Sequence, residues 1–98
     1  EHNILAPIVG HVGDGNFHLL IVVDPRNEKE LEVVAGINDR LLKRALSMGG
    51  TITGEHGIGL GKMEYLELEH SVGLSLMRSI KNSIDPDNIM NPGKIVLP

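Results

Sequence analysis

Cysteine and tryptophan are absent from this 98-residue chain, and Phe17 and Tyr65 are its only aromatic residues. Without cysteine there is no disulfide framework and no thiolate metal site, so any metal must be held by nitrogen and oxygen ligands. With so few rings, a core has to be assembled from Leu, Ile, Val and Met. Net charge is −4 and the nine Lys and Arg residues form no cluster. That argues against nucleic acid as a partner, because phosphate binding needs concentrated positive charge and base stacking needs aromatics. No apolar run reaches the ~18 residues of a membrane span, and no signal-peptide pattern opens the chain. The expected location is cytoplasmic, with membrane-peripheral attachment left to a longer protein.

What is present begins with glycine and histidine. His11 and His18 flank Gly13-Asp14-Gly15-Asn16. Asp-Gly between two apolar-rich extended segments is a strong hairpin signal, because type I′ turns need φ > 0 at both central residues. With Asp14 and Gly15 as the turn, His11 would face His18, bringing two imidazoles onto one side of the ladder. Two such imidazoles suit one divalent metal, although a His pair in a hairpin, taken alone, is more often two half-exposed polar residues.

Leu5 to Val12 and Asn16 to Val23 read as the two strands. Apolar residues on both faces beyond His18 predict a strand covered on both sides. Asn27 caps a helix and Glu30 can reach back to the cap's own N–H. Leu31, Val34, Leu41, Ala45 and Met48 recur at helical spacing, widened by Ile37 and Leu42, and Gly49-Gly50 ends the run. Thr51-Ile52-Thr53 reads as a short strand. A helix from about Met63 to Ser83, interrupted near Ser71 to Gly73, carries Leu76, Met77, Ile80 and Ile84 inward, and Asp85-Pro86 stops it. Met90 to Lys94 is a turn, and Ile95-Val96-Leu97 a short extended end. Met48, Met77 and Met90 read as core filler. The expected fold class is α+β, one domain over residues 1–98, with an antiparallel sheet and packed helices.

Between strand and helix lies Gly54-Glu55-His56-Gly57-Ile58-Gly59-Leu60-Gly61-Lys62, with glycine at four of nine positions. It is not a P-loop: Met63 follows Gly61-Lys62, and His56 stands where the first glycine belongs. It is not a dinucleotide fingerprint either, since Gly57, Gly59 and Gly61 place the last glycine one residue short. It does present Glu55 and His56 side by side. Glu55 joined to the two hairpin histidines would give three protein ligands and an open position, the arrangement of catalytic metal sites, leaving His56 as a base. The plainer readings are a solvated Glu55, glycines serving a tight connection, Lys62 in solvent, Asn91-Pro92-Gly93 as a turn, and His2 and His70 as surface residues.

Gly10-His11-Val12-Gly13-Asp14-Gly15-Asn16-Phe17-His18, Gly54-Glu55-His56-Gly57-Ile58-Gly59, and Asp85-Pro86 through Met90-Asn91-Pro92-Gly93-Lys94, in that order, resemble the C-terminal part of the FAD-linked oxidases with the vanillyl-alcohol-oxidase type of FAD domain. The resemblance covers nearly the whole chain. Its nearest branch is the FAD-dependent dehydrogenases of small D-2-hydroxy acids, D-lactate and glycolate. It implies that His11, His18 and Glu55 hold a divalent metal, zinc by expectation. It makes His56 the base that removes the substrate's hydroxyl proton, and places Asn16 and Asn91 near the flavin or the metal. Members acting on 2-hydroxyglutarate carry Asn two residues after the second histidine. Leu20 stands there, which fits a small or apolar substrate side chain.

The family's FAD domain lies upstream of such motifs, and its C-terminal domain is ferredoxin-like. The chain is therefore expected to be a piece supplying the last strands of that domain, unable to hold FAD in full. Alone it is expected to be inactive and to associate with itself through uncovered apolar surface. The electron acceptor is not legible. Two other readings stand beside this one: a stand-alone metal-binding or metal-dependent hydrolytic domain, and a non-catalytic α+β interaction module.

Overall fold

The computed structural model describes residues 4–97, in two units, Glu1–Met48 and Gly49–Pro98. It contains three α-helices and a two-stranded antiparallel sheet, a small α+β arrangement. His2 lies outside the described residues.

In the first unit, β1 (Ile8–Val9) pairs with β2 (His18–Leu19), Ile8 opposite Leu19 and Val9 opposite His18. The pairing runs on past these short strands: Leu20 N–H donates to the Pro7 carbonyl and Val22 N–H to that of Leu5, each at 2.9 Å. Proline has no N–H to return the bond, which helps explain why the regular ladder is short. The turn is not the expected two-residue type. Val12–Asp14 forms one 3₁₀ turn, with Asp14 N–H donating to His11 O at 2.9 Å, and Gly15 follows it at φ 73°. A type I′ turn would force Asp14 as well as Gly15 into the left-handed region. The four-residue loop puts only glycine there.

His18 therefore faces Val9, and His11 pairs with Asn16, whose N–H reaches the His11 carbonyl at 3.2 Å. The register is displaced by two residues, so His11 falls diagonally from His18 instead of directly opposite. A displacement of one would have sent it to the other face. Gly10, opposite Phe17, leaves no room for a side chain. A Cβ on Gly10 would lie 2.6 Å from both the Asn16 carbonyl oxygen and the Phe17 Cα, and its φ is +151°.

Helix α1 spans Glu28–Ser47. Asn27 caps it, accepting from Glu30 N–H at 3.3 Å. Glu30 does not take the cap's backbone N–H as expected. It takes the Asn27 side-chain amide and, with its other oxygen, Asp24 N–H. The cap's own N–H already donates to the Asp24 carbonyl. Leu42 is the buried hydrophobic residue of this unit, and Val34, Ile37, Leu41 and Ala45 are partly shielded, while Leu31 and Met48 at the stripe's ends are exposed. The expectation of a strand covered on both sides fails here: Leu20 and Val22 are exposed, as are Leu5, across from Val22, and Val9, across from His18.

The second unit holds α2 (Met63–His70) and α3 (Leu74–Ile84), separated at Ser71 to Gly73 as expected. Its buried residues are Ile52, Ile58, Tyr65, Leu66, Val96 and Asp85. Leu76, Ile80 and Ile84 do not point inward; they form an exposed stripe on α3, and Met90 and Met48 are likewise exposed instead of filling a core. Thr51-Ile52-Thr53 is not a strand. Ile95 is not extended: it sits at φ +63°, inside a three-residue turn closed by Val96 N–H on the Lys94 carbonyl. Its own N–H donates to Gly59 O at 3.0 Å, which ties the end of the chain to the glycine loop.

Asp85 does more than stop α3. Its buried carboxylate accepts the N–H groups of Ile89 and Met90, each at 2.9 Å, and an ion pair from Lys81. Lys81, together with the Ile89 and Met90 amides, holds the carboxyl below the ordinary carboxylate range. Asp85 thereby fixes the loop leading to Asn91.

This packing predicts two outcomes. Gly10→Ala should destabilise the chain by at least about 1–3 kcal/mol from backbone strain alone; urea unfolding of the two forms side by side measures it. For Asp85, a carboxyl lowered in the folded state lends stability that is present above pH ~4, the unfolded value, and is lost as pH falls through the folded one. Thermal midpoints recorded from pH 6 to pH 3 should drop toward acid in the parent, and drop less steeply in Asp85→Asn.

Candidate metal and substrate site

The hairpin fixes the first group of candidate residues. His18 lies within the ladder and is half-buried, while His11, just before the 3₁₀ turn, is exposed. Side chains alternate along a strand, so His18, Leu20 and Val22 share one face, with Val9 directly across from His18. Asn16 is half-buried at the end of the turn. The hairpin thus presents an imidazole beside the apolar Leu20, and His11 one diagonal step away.

The glycine loop fixes the second group. Gly54, Gly57 and Gly59 have φ of +58°, +81° and +54°, values that would strain residues with a Cβ, so the glycines are required by the path of the chain. Glu55 and His56 are carried on this path, with Glu55 Oε1 3.4 Å from His56 Nε2. Both are exposed. A carboxylate beside an imidazole can orient that ring.

The loop's ends are held by side chains that no sequence motif marks. Lys62 is not in solvent: its Nζ donates to the Ile52 carbonyl at 2.6 Å and the Thr53 carbonyl at 3.2 Å. Its backbone N–H donates to Ile58 O at 3.3 Å. From the far end of α2, Glu69 accepts the Ile52 N–H at 3.0 Å. Burial works to raise the Glu69 carboxyl, but bonds from Thr51 and Ile52, with His70 nearby, outweigh it and leave it lowered. The peptide polar groups of Ile52 are thus satisfied by side chains of α2 and its cap instead of by a neighbouring strand. Lysine next to a helix start carries no local signal for such a role, since its partners lie nine and ten residues back.

Asn91 sits at φ +45° in the loop braced by Asp85 and is exposed. It lines a largely apolar cleft of about 420 Å³ with Met77, Ile80, Ile84 and Met90. Its place beside a flavin is not something these residues display.

The donor chemistry suits a divalent metal. The hairpin offers imidazole nitrogen at His11 and His18, and the glycine loop offers carboxylate oxygen at Glu55, donor types that zinc and neighbouring metals accept where thiolate is absent. FAD fits poorly: the glycine loop lacks the spacing of a phosphate cradle. No helix among the described residues is long and apolar enough to cross a membrane.

The chain is 53% identical over 93 residues to D-lactate dehydrogenase (cytochrome) 1, mitochondrial, of Saccharomyces cerevisiae, covering 94% of this chain and 16% of that protein. It is 46% identical over 97 residues to the Arabidopsis thaliana protein named D-lactate dehydrogenase (cytochrome), mitochondrial, covering 98% of this chain and 17% of the relative. To glycolate oxidase subunit GlcD of Bacillus subtilis it is 45% identical over 96 residues, 97% of this chain and 20% of the other. The chain therefore spans a fifth or less of the length of these relatives. Residues 1–95 match the family described as FAD linked oxidases, C-terminal domain, and the chain belongs to that family.

Proposed function

We propose that this chain is the substrate- and metal-binding part of an FAD-dependent dehydrogenase that oxidises a small D-2-hydroxy acid, D-lactate or glycolate, to the 2-oxo acid. The observation that carries the reading is the Glu55–His56 pair, a carboxylate and an imidazole 3.4 Å apart on a glycine-shaped loop. The names of the relatives support the substrate class, and the mitochondrial names among them leave a cytoplasmic location as one of the alternatives.

In this reading His11, His18 and Glu55 are the donors to a divalent metal, zinc by preference. Bound there, the metal supplies Lewis-acid polarisation of the substrate's hydroxyl and carboxylate oxygens. His56 takes the hydroxyl proton on a ring nitrogen, and its carboxylate neighbour orients the imidazole for that transfer. Leu20, on the face of His18, receives the methyl of lactate or the hydrogen of glycolate and disfavours a second carboxylate, which would lie against it unpaired. FAD, held outside these residues, would supply the acceptor for the hydride of the substrate's C–H bond. Asn16 and Asn91 are assigned to the cofactor side.

The test has two parts. The 98-residue chain should bind one zinc ion, and His11→Ala, His18→Ala and Glu55→Ala should each weaken it by more than tenfold, with far-UV circular dichroism retained. In the longer FAD-containing protein, His56→Ala should keep its metal and lose about 10²–10⁴-fold in D-lactate or glycolate turnover. Full turnover in His56→Ala would sink the assignment of the base. Metal content unaffected by all three substitutions would sink the ligand set.

A further inference from the structure

Lys62 has an arrangement that a surface lysine does not need. Its ammonium bridges two successive carbonyls, Ile52 O at 2.6 Å and Thr53 O at 3.2 Å, immediately before Gly54-Glu55-His56. Its backbone N–H closes the other side of the same loop on Ile58 O. One residue therefore pins both ends of the segment that carries Glu55 and His56. The side chain is also close to the loop's first glycine: a Cβ on Gly54 would lie 3.8 Å from Lys62 Nζ.

The clamp sits at the entrance to a stretch bracketed by glycine. Gly54 and Gly57, at φ +58° and +81°, bracket Glu55 and His56, and glycine backbone is free to swing in φ. What fixes the chain just outside two such glycines contributes to the direction of the two residues between them. On the N-terminal side this is the Ile52–Thr53 backbone, with its carbonyls on Lys62 and the Ile52 N–H on Glu69. Ile52 itself is 2% exposed, so the anchor is seated in the unit's core. Lys62 is the member that reaches the residue adjoining Gly54.

We propose that Lys62 is a positioning residue for Glu55 and His56: its ammonium, by holding the Ile52 and Thr53 carbonyls, sets the direction in which the loop presents the carboxylate and the imidazole. This rests on the reading of Glu55 as a metal donor and His56 as the base. It assigns Lys62 no contact with substrate. Arginine, with several donors in a fork, can span two carbonyls; methionine keeps the stem and loses the donors.

The test compares Lys62→Met and Lys62→Arg with the parent in the full 98-residue chain, using zinc alone as the probe. Outer groups that orient metal ligands typically change affinity by 10–100-fold, so Lys62→Met should lose about tenfold or more in zinc affinity, and Lys62→Arg should recover most of it. In parallel, heteronuclear ¹⁵N relaxation should show new mobility at Glu55, His56 and Gly57 in Lys62→Met, with α2 as ordered as in the parent. Zinc affinity and loop order both equal to the parent's in Lys62→Met overturn the proposal, as does order lost equally throughout α2, which marks a merely structural role. If the parent binds no zinc, the metal reading fails by itself, and the relaxation at residues 55–57 still decides whether Lys62 holds the pair. If Lys62→Met does not fold, Lys62→Gln, which retains one donor group, is read by the same two measurements.

Discussion

The peptide at Ile52 has its N–H and C=O taken by two side chains, Glu69 and Lys62, near opposite ends of α2. A buried residue whose backbone groups had no partner would lose free energy comparable to a hydrogen bond for each. Here a helix supplies what a neighbouring strand would ordinarily give. The consequences run outward from that peptide. Ile52 stays in the core with Tyr65 and Leu66, and the glycine loop begins from a backbone held at both its N–H and its C=O. On the far side of the loop, Ile95 takes a left-handed φ while its N–H reaches the Gly59 carbonyl. A β-branched residue holds such a conformation only where the surrounding bonds over-determine it.

The hairpin shows a parallel economy. Glycine stands at the two places where the backbone leaves the ordinary range, Gly10 at the close approach to Phe17 and Gly15 at the end of the turn. Pro7 withholds one ladder bond. The result is a short, well-registered pairing with His18 inside it and His11 at its margin. Both units share one trait: an apolar face left exposed, at Leu5, Val9, Leu20 and Val22 in the first and at Leu76, Ile80 and Ile84 in the second.

The helices are legible in the sequence because their signals are local. Asn27 and Glu30 mark the start of α1, Gly49-Gly50 its end, and Ser71 to Gly73 the break between α2 and α3. Direction and burial are less so. The stripe on α3 has the spacing of a core face and is exposed, because periodicity reports which residues share a side and not whether anything lies against it. Thr51-Ile52-Thr53 has strand composition and no strand partner among the described residues. The hairpin is legible and its register is not, since Asp-Gly allows a two-residue and a four-residue loop, and the choice turns on the cost of placing Asp14 at positive φ.

For the candidate site, chemistry is written in the residue types. Histidine at 11, 18 and 56, glutamate at 55 and leucine at 20 define which imidazole, carboxylate and apolar groups are available, and the motifs in order define the family. These are determined by sequence alone because they depend on identity and short spacing. Only the tertiary structure decided that His11 stands diagonal to His18, that Asp85 braces the approach to Asn91, and that Lys62 clamps the loop. Each depends on bonds formed after the backbone has turned, between groups whose pairing no local pattern specifies.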